Sequence, residues 1–164
     1  MTVNDRPLPH DRAPRPGEKV RRHHDGCLGC GDVEPGLHLS FVAGEDLTVT
    51  SVLDVGHWQQ GGPGVVHGGV VAAALDETMG ALQAFFGRPA VTAELTTSYR
   101  RPIPVGTRLH LWARVEEREG RKTWTTGTAR LDGPDGPVAA EGRGLFIDIR
   151  RDHFDGMPVR AVNP

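Results

Sequence analysis

The order of apolar and polar residues divides this 164-residue chain into one helix and a set of strands. Within residues 70–86 almost every position is apolar or small, with Asp76, Glu77, Thr78 and Gln83 as the exceptions. The glycine pair Gly68-Gly69 precedes this run and Gly87-Arg88-Pro89 follows it. That punctuation predicts a helix from Gly68 or Gly69 to about Phe86. Elsewhere the period drops to two. Leu37, Leu39 and Phe41 alternate with His38 and Ser40, and residues 47–53 alternate through Val49 and Ser51, so a strand is expected at each. Residues 56–64, with Gly56, Gly61, Gly62, Pro63 and Gly64, predict a loop. Four strands are expected after the helix. In residues 91–99, Val91, Ala93, Leu95, Thr97 and Tyr99 share one face, and Pro102 and Pro104 end the strand. Residues 109–115 form the next, Glu119-Gly120 turns it into 123–131, and Asp132-Gly133-Pro134-Asp135-Gly136 turns that into 138–149.

No helical pattern separates the late strands, so hairpins join them and the sheet is largely antiparallel. The expected fold class is α+β: one long helix wrapped by a largely antiparallel sheet of about six strands. The ends read differently. Residues 1–25 carry Pro7, Pro9, Pro14 and Pro16 among alternating charges, the pattern of a flexible or extended arm. Residues 151–164 look similar and are expected as a C-terminal tail. Residues 26–150 remain as the single folded domain.

Charge and composition narrow the function classes. A formal net charge of −2 argues against general electrostatic binding of nucleic acid. No signal peptide is expected, because the first 22 residues lack an apolar stretch. Asp76 and Glu77 interrupt the longest apolar run, so no membrane span is expected. Two cysteines are too few for a disulfide framework. A cytoplasmic protein is the expectation.

The helix carries the candidate chemistry. A carboxylate two turns inside an apolar helix is costly unless it is hydrogen-bonded or used. The free N–H groups of a helix start are electrophilic. Together they are the parts that hydrolyse an acyl bond. One helix cannot bring both to the same carbon. Asp76 lies roughly 10–12 Å along the axis from the start, and the free amides point away from it. Two antiparallel copies about a two-fold axis could. Gly69, Ala72, Ala73, Met79, Gly80 and Gln83 share the Asp76 stripe, which is mostly small enough for close approach. A helical step of about 100° aims Glu77 elsewhere, as a structural neighbour. No Gly-x-Ser-x-Gly elbow occurs, which disfavours a serine-hydrolase route.

Gln60-Gly61-Gly62-Pro63-Gly64-Val65-Val66-His67-Gly68-Gly69, then Asp76, then Thr92 before Tyr99-Arg100-Arg101-Pro102, resembles the hotdog-fold acyl-CoA thioesterases. The likeness covers about residues 26–149 and is strongest to the PaaI-like and THEM4-like branch. Cys27-Leu28-Gly29-Cys30-Gly31 before Gly36-Leu37 also occurs in bacterial members. The resemblance implies the hotdog fold, and dimers or tetramers with active sites shared across an interface. It implies Asp76 as general base or nucleophile, and the amide of Gly68 or Gly69 of a partner as the group polarising the thioester carbonyl. Thr92 would position the water or the carboxylate, and His67 would shape the loop or meet the carbonyl region. A neighbouring branch carries a side-chain amide where this chain has Gly61, which favours the THEM4-like branch.

On that reading Gly61, Gly62 and Trp58 belong to the acyl-binding region. Arg100 and Arg101, at a strand end, are placed to meet coenzyme A phosphates. No cofactor is expected beyond the coenzyme A of the substrate. Cys27 and Cys30 have the shape of half a zinc knuckle, with His23 and His24 nearby. Adjacent histidines close a tetrahedron poorly, so the expectation is a reduced structural pair and no metal. Trp112 and Trp124 fall opposite the aliphatic rows of their strands, suited to pairing across the hairpin or to an oligomer surface. Phe85 and Phe86 suit the core. The expected activity is hydrolysis of acyl-CoA to free acid and coenzyme A. The alternatives are the same chemistry on a carrier protein, a non-catalytic acyl-CoA binding module, and a hydratase of the same fold.

Overall fold

The computed structural model describes residues 7–158. Seven strands form one antiparallel sheet: β1 (Lys19–Val20), β2 (Phe41–Ala43), β3 (Thr48–Asp54), β4 (Ala90–Tyr99), β5 (Arg108–Glu119), β6 (Lys122–Leu131) and β7 (Val138–Asp148). They lie in the order β1-β2-β3-β5-β6-β7-β4. Among the described residues a single α-helix, α1 (Gly68–Ala81), crosses the sheet, and a 3-10 turn (Leu82–Phe85) continues it to the expected end.

The apolar run forms a helix because its buried residues recur at helical spacing: Val71, Ala74, Leu75, Thr78 and Met79 face the sheet. Thr78 sits there without penalty because its hydroxyl donates to the Ala74 carbonyl at 2.7 Å. Val49, Leu53, Leu109, Leu111, Ala113 and Ala129 supply the facing rows. Gly142 lets the helix sink close to β7, since a Cβ there would stand 3.0 Å from Met79 Cε. Burying Leu75 and Met79 completely contributes about 1.5–3 kcal/mol each. Phe85 joins the core, while Phe86 is partly buried with the Arg118 guanidinium 4.2 Å from its ring centre.

Two local expectations change and one narrows. The sheet has seven strands, not six, because Lys19–Val20 pairs with Val42 and Phe41. Residues 7–20, expected as flexible or extended, run extended along the domain. His10 N–H donates to the Phe85 carbonyl, Ala13 packs on the core, and Gly17 N–H donates to Ala43. Finally, residues 37–40 are not a strand. Leu37 and Leu39 are buried as their alternation requires, but their amides bond to the carbonyls of Leu28 and Gly29, and His38 sits at φ 52. Alternation reported burial there, not a ladder. Residues 1–6 of the expected arm and 159–164 of the expected tail lie outside the described residues.

Candidate active site

His67 begins the site. It is the N-cap of α1, in extended conformation, and its Nδ1 accepts from the Gly69 N–H at 2.9 Å. That bond places the ring proton on Nε2 and occupies the Gly69 amide. Of the two glycine amides expected as donors, Gly68 N–H is the one with no hydrogen bond among the described residues. The Gly68 carbonyl accepts from Tyr99 Oη at 2.7 Å, which ties the first helical turn to the end of β4.

A cleft of about 360 Å³ opens here, lined by Val65, Val66, Gly68, Val71 and residues 99–103. Arg100 and Arg101 therefore stand beside the helix start. Arg100 Nε donates to Glu141 at 2.7 Å, and Arg101 Nε donates to the Val138 carbonyl at 3.2 Å, so neither is idle. Gly61 and Gly62 do not line the cleft. The Gly61 amide bonds to Val65, and a Cβ at Gly61 would stand 2.9 Å from His67 Cα, so this glycine lets the loop lie against the cap. Trp58, expected along the acyl path, is half exposed on a 3-10 turn (His57–Gln59) outside the cleft.

Two turns further along, Asp76 is half-buried, and Thr92 Oγ1 on β4 donates to its Oδ1 at 2.8 Å. Burial pushes the Asp76 carboxyl above its ordinary pKa, the Thr92 hydrogen bond pulls it down, and the neighbouring Glu77 charge pushes it up. A raised but hydrogen-bonded carboxylate suits a base near neutral pH. The expected stripe around it divides. Met79 and Gln83 turn into the core, whereas Gly69 is exposed and Ala72, Ala73 and Gly80 stay partly open.

Glu77 points the other way, into a loop built by residues 23–31. Cys27 Sγ donates to Glu77 Oε2 at 3.5 Å, and His23 Nδ1 lies 3.4 Å from both Glu77 Oε1 and Cys30 Sγ. Burial, with Glu77 alongside, pushes the Cys30 thiol up to about 12. Sequence reasoning named Cys27, Cys30 and His23 together but missed that Glu77 joins them, and it missed the role of Tyr99. Tyr99 did carry a signal, being the one tyrosine in the chain. Trp112 and Trp124 do not pair across the hairpin; their cross-strand partners are Thr128 and Glu117. Trp112 instead lines a groove of about 640 Å³ on the opposite sheet face, with Val42, Val52 and His110.

Residues 63–134 match the model of the thioesterase superfamily. The chain is 36% identical over 94 residues to the acyl-coenzyme A thioesterase THEM4 of Xenopus laevis, a match covering 57% of this chain and 42% of that protein. It thus spans less than half the length of that relative. A crystal structure of a thioesterase superfamily protein is 35% identical with a TM-score of 0.63, covering 69% of this chain and 55% of the other. A Streptococcus mutans protein crystallised with acetyl-CoA has the same fold at 17% identity, with a TM-score of 0.64 and coverage of 72% and 94%.

Proposed function

We propose that the chain is a member of the thioesterase superfamily and hydrolyses acyl-CoA thioesters to free carboxylic acid and coenzyme A, a reading supported by the family-model match over residues 63–134. The observation that carries the reading is the Thr92–Asp76 hydrogen bond on the half-buried face of α1. Asp76 either takes a proton from the water that attacks the thioester carbonyl carbon or attacks that carbon itself, with Thr92 fixing its orientation. The carbonyl oxygen takes the Gly68 N–H, and charge developing there is met by the positive end of α1. One such donor is worth roughly 3–4 kcal/mol of barrier in acyl-transfer enzymes. The leaving thiolate departs toward the Arg100 and Arg101 side of the cleft, where their charge suits coenzyme A phosphates.

The donor and the carboxylate of one chain are about 12 Å apart along α1, so the working site takes one from each of two chains. Strand β4 supports that assembly. Its ten residues end the sheet, with β7 as the single pairing partner among the described residues, and Thr92 to Thr96 are exposed. The opposite edge, β1, has only two residues. A long, open edge is a template for a second strand. In this reading two β4 strands pair, and each helix start meets the other chain's Asp76. Unbridged Cys27 and Cys30 suit a reducing, cytoplasmic setting.

Complementation tests the shared site. Gly68→Pro deletes the one amide at a helix position where proline is tolerated, and Asp76→Asn deletes the carboxylate. Each variant alone is expected to be nearly inactive in a thiol-release assay across acyl-CoA chain lengths. Co-refolded in equal amounts, they regain about one quarter of wild-type activity, since half the dimers are mixed and hold one intact site. A mixture no more active than its parents overturns the shared site. Wild-type protein inert on every acyl-CoA overturns the activity.

A further inference from the structure

We propose that His23, Cys27, Cys30 and Glu77 form a closed four-ligand site for a zinc-class divalent cation, pinning the 23–31 loop to the middle of α1. One ligand atom from each of the four lies within 4.8 Å of the others. The separations are Cys27 Sγ to Glu77 Oε2 3.5 Å, Cys30 Sγ to His23 Nδ1 3.4 Å, and His23 Nδ1 to Glu77 Oε1 3.4 Å. Tetrahedral zinc, with bonds of about 2.0–2.3 Å, sets neighbouring N, O and S ligands roughly 3.3–3.8 Å apart. These three contacts fall in the range such an ion sets, and with all four ligand atoms within 4.8 Å small side-chain shifts close the tetrahedron.

The loop has the build of a knuckle. Cys27 and Cys30 are separated by two residues, and the Gly29 N–H donates to Cys27 Sγ at 3.3 Å. Gly29 is also what admits the fourth ligand. A Cβ there would come within 2.5 Å of the Glu77 carboxyl group. His24, the rival to His23 in the sequence pattern, is engaged with the Gly26 N–H at 3.0 Å. Two thiolates and one imidazole favour a borderline-soft ion over magnesium or calcium. With four protein ligands the site has no open position, so its role is structural. On binding, two S–H bonds give way to two metal–sulfur bonds and both protons go to solvent. The site lies one residue from Asp76 along α1 but is reached by a different segment of chain. It stands whether or not the acyl-CoA reading does.

The test uses the full chain without an affinity histidine tag, supplemented with zinc and analysed for metal by mass spectrometry. About one equivalent per chain is expected. Cobalt(II) in place of zinc gives the visible bands of a tetrahedral ion and a thiolate charge-transfer band in the near ultraviolet. Cys27→Ser with Cys30→Ser abolishes both, and Glu77→Gln weakens cobalt binding at least about tenfold. Because variants can fail to fold, a second measurement uses wild-type protein. Stripping the metal with a chelator lowers Tm and adding zinc back restores it, as binding to the native state demands. Less than about a tenth of an equivalent after zinc incubation, cobalt bands undiminished in the double serine variant, or a Tm indifferent to stripping overturns the site.

Discussion

Asp76 and Glu77 are adjacent carboxylates on one helix, yet they serve two different neighbourhoods. Asp76 looks toward β4 and has one short hydrogen bond, from Thr92, on a face open enough to admit another molecule. Glu77 looks toward the cysteine loop, where its side chain is only 17% exposed among two thiols and an imidazole. The chemistry of the two groups is the same. The difference comes from a turn of about 100° around the helix axis, which presents one to an unfinished edge and the other to a segment folded back from the N-terminus. A residue's use is decided here by which strand or loop the helix rotation brings it against.

The sharpest way to break the comparison is to neutralise each carboxylate in turn. Asp76→Asn is expected to lower kcat/KM for acyl-CoA by about 10²–10⁴-fold, with circular dichroism and the metal content unchanged. Glu77→Gln is expected to cost more in metal affinity than in rate. If the two variants behave alike, the division of labour fails. Next in size is Thr92→Val, expected to lower kcat about ten- to hundredfold. Its pH profile carries a sign. Thr92 holds the Asp76 pKa down against burial, so its removal raises that pKa and moves the acidic limb of kcat/KM to higher pH. A limb that stays in place removes Thr92 from the base.

Gly29→Ala probes the other neighbourhood without removing a ligand. The new methyl collides with the Glu77 carboxyl group, and overpacking of this kind costs about 1–3 kcal/mol. A lower Tm with weakened cobalt binding is expected, while Thr92 and Asp76 keep their contact. The smallest effect belongs to Arg101→Ala. With Arg101 facing coenzyme A phosphates, KM rises a few-fold, about 1 kcal/mol of binding, and kcat holds. An unchanged KM returns Arg101 to the ordinary strand end that its bond to Val138 would also explain.

Much of the Asp76 neighbourhood was legible in the sequence, because its parts lie close together in the chain or in one repeating pattern. The apolar run placed the helix, the glycine pair placed its start, and the family motif put Thr92 opposite Asp76. The occupied Gly69 amide was not legible, since it depends on the rotamer of His67. The Glu77 neighbourhood was hidden for a different reason. Cys27 and Glu77 are 50 residues apart, and no periodicity in either segment reports their meeting. The same limit explains residues 37–40. Alternating burial is a property of side chains, and there it is produced by bonds to the cysteine loop rather than by a strand.

The leading segment sets how small this protein can be made. His10 fastens it beyond the far end of the helix, Lys19–Val20 stitches it to the outer margin of the sheet, and the cysteines close it over the helix flank. A minimal version cut to residues 63–134, the stretch that matches the family model, would discard that strap together with β2, β3 and β7, leaving one flank of the helix unroofed and β4 without the strand it pairs with.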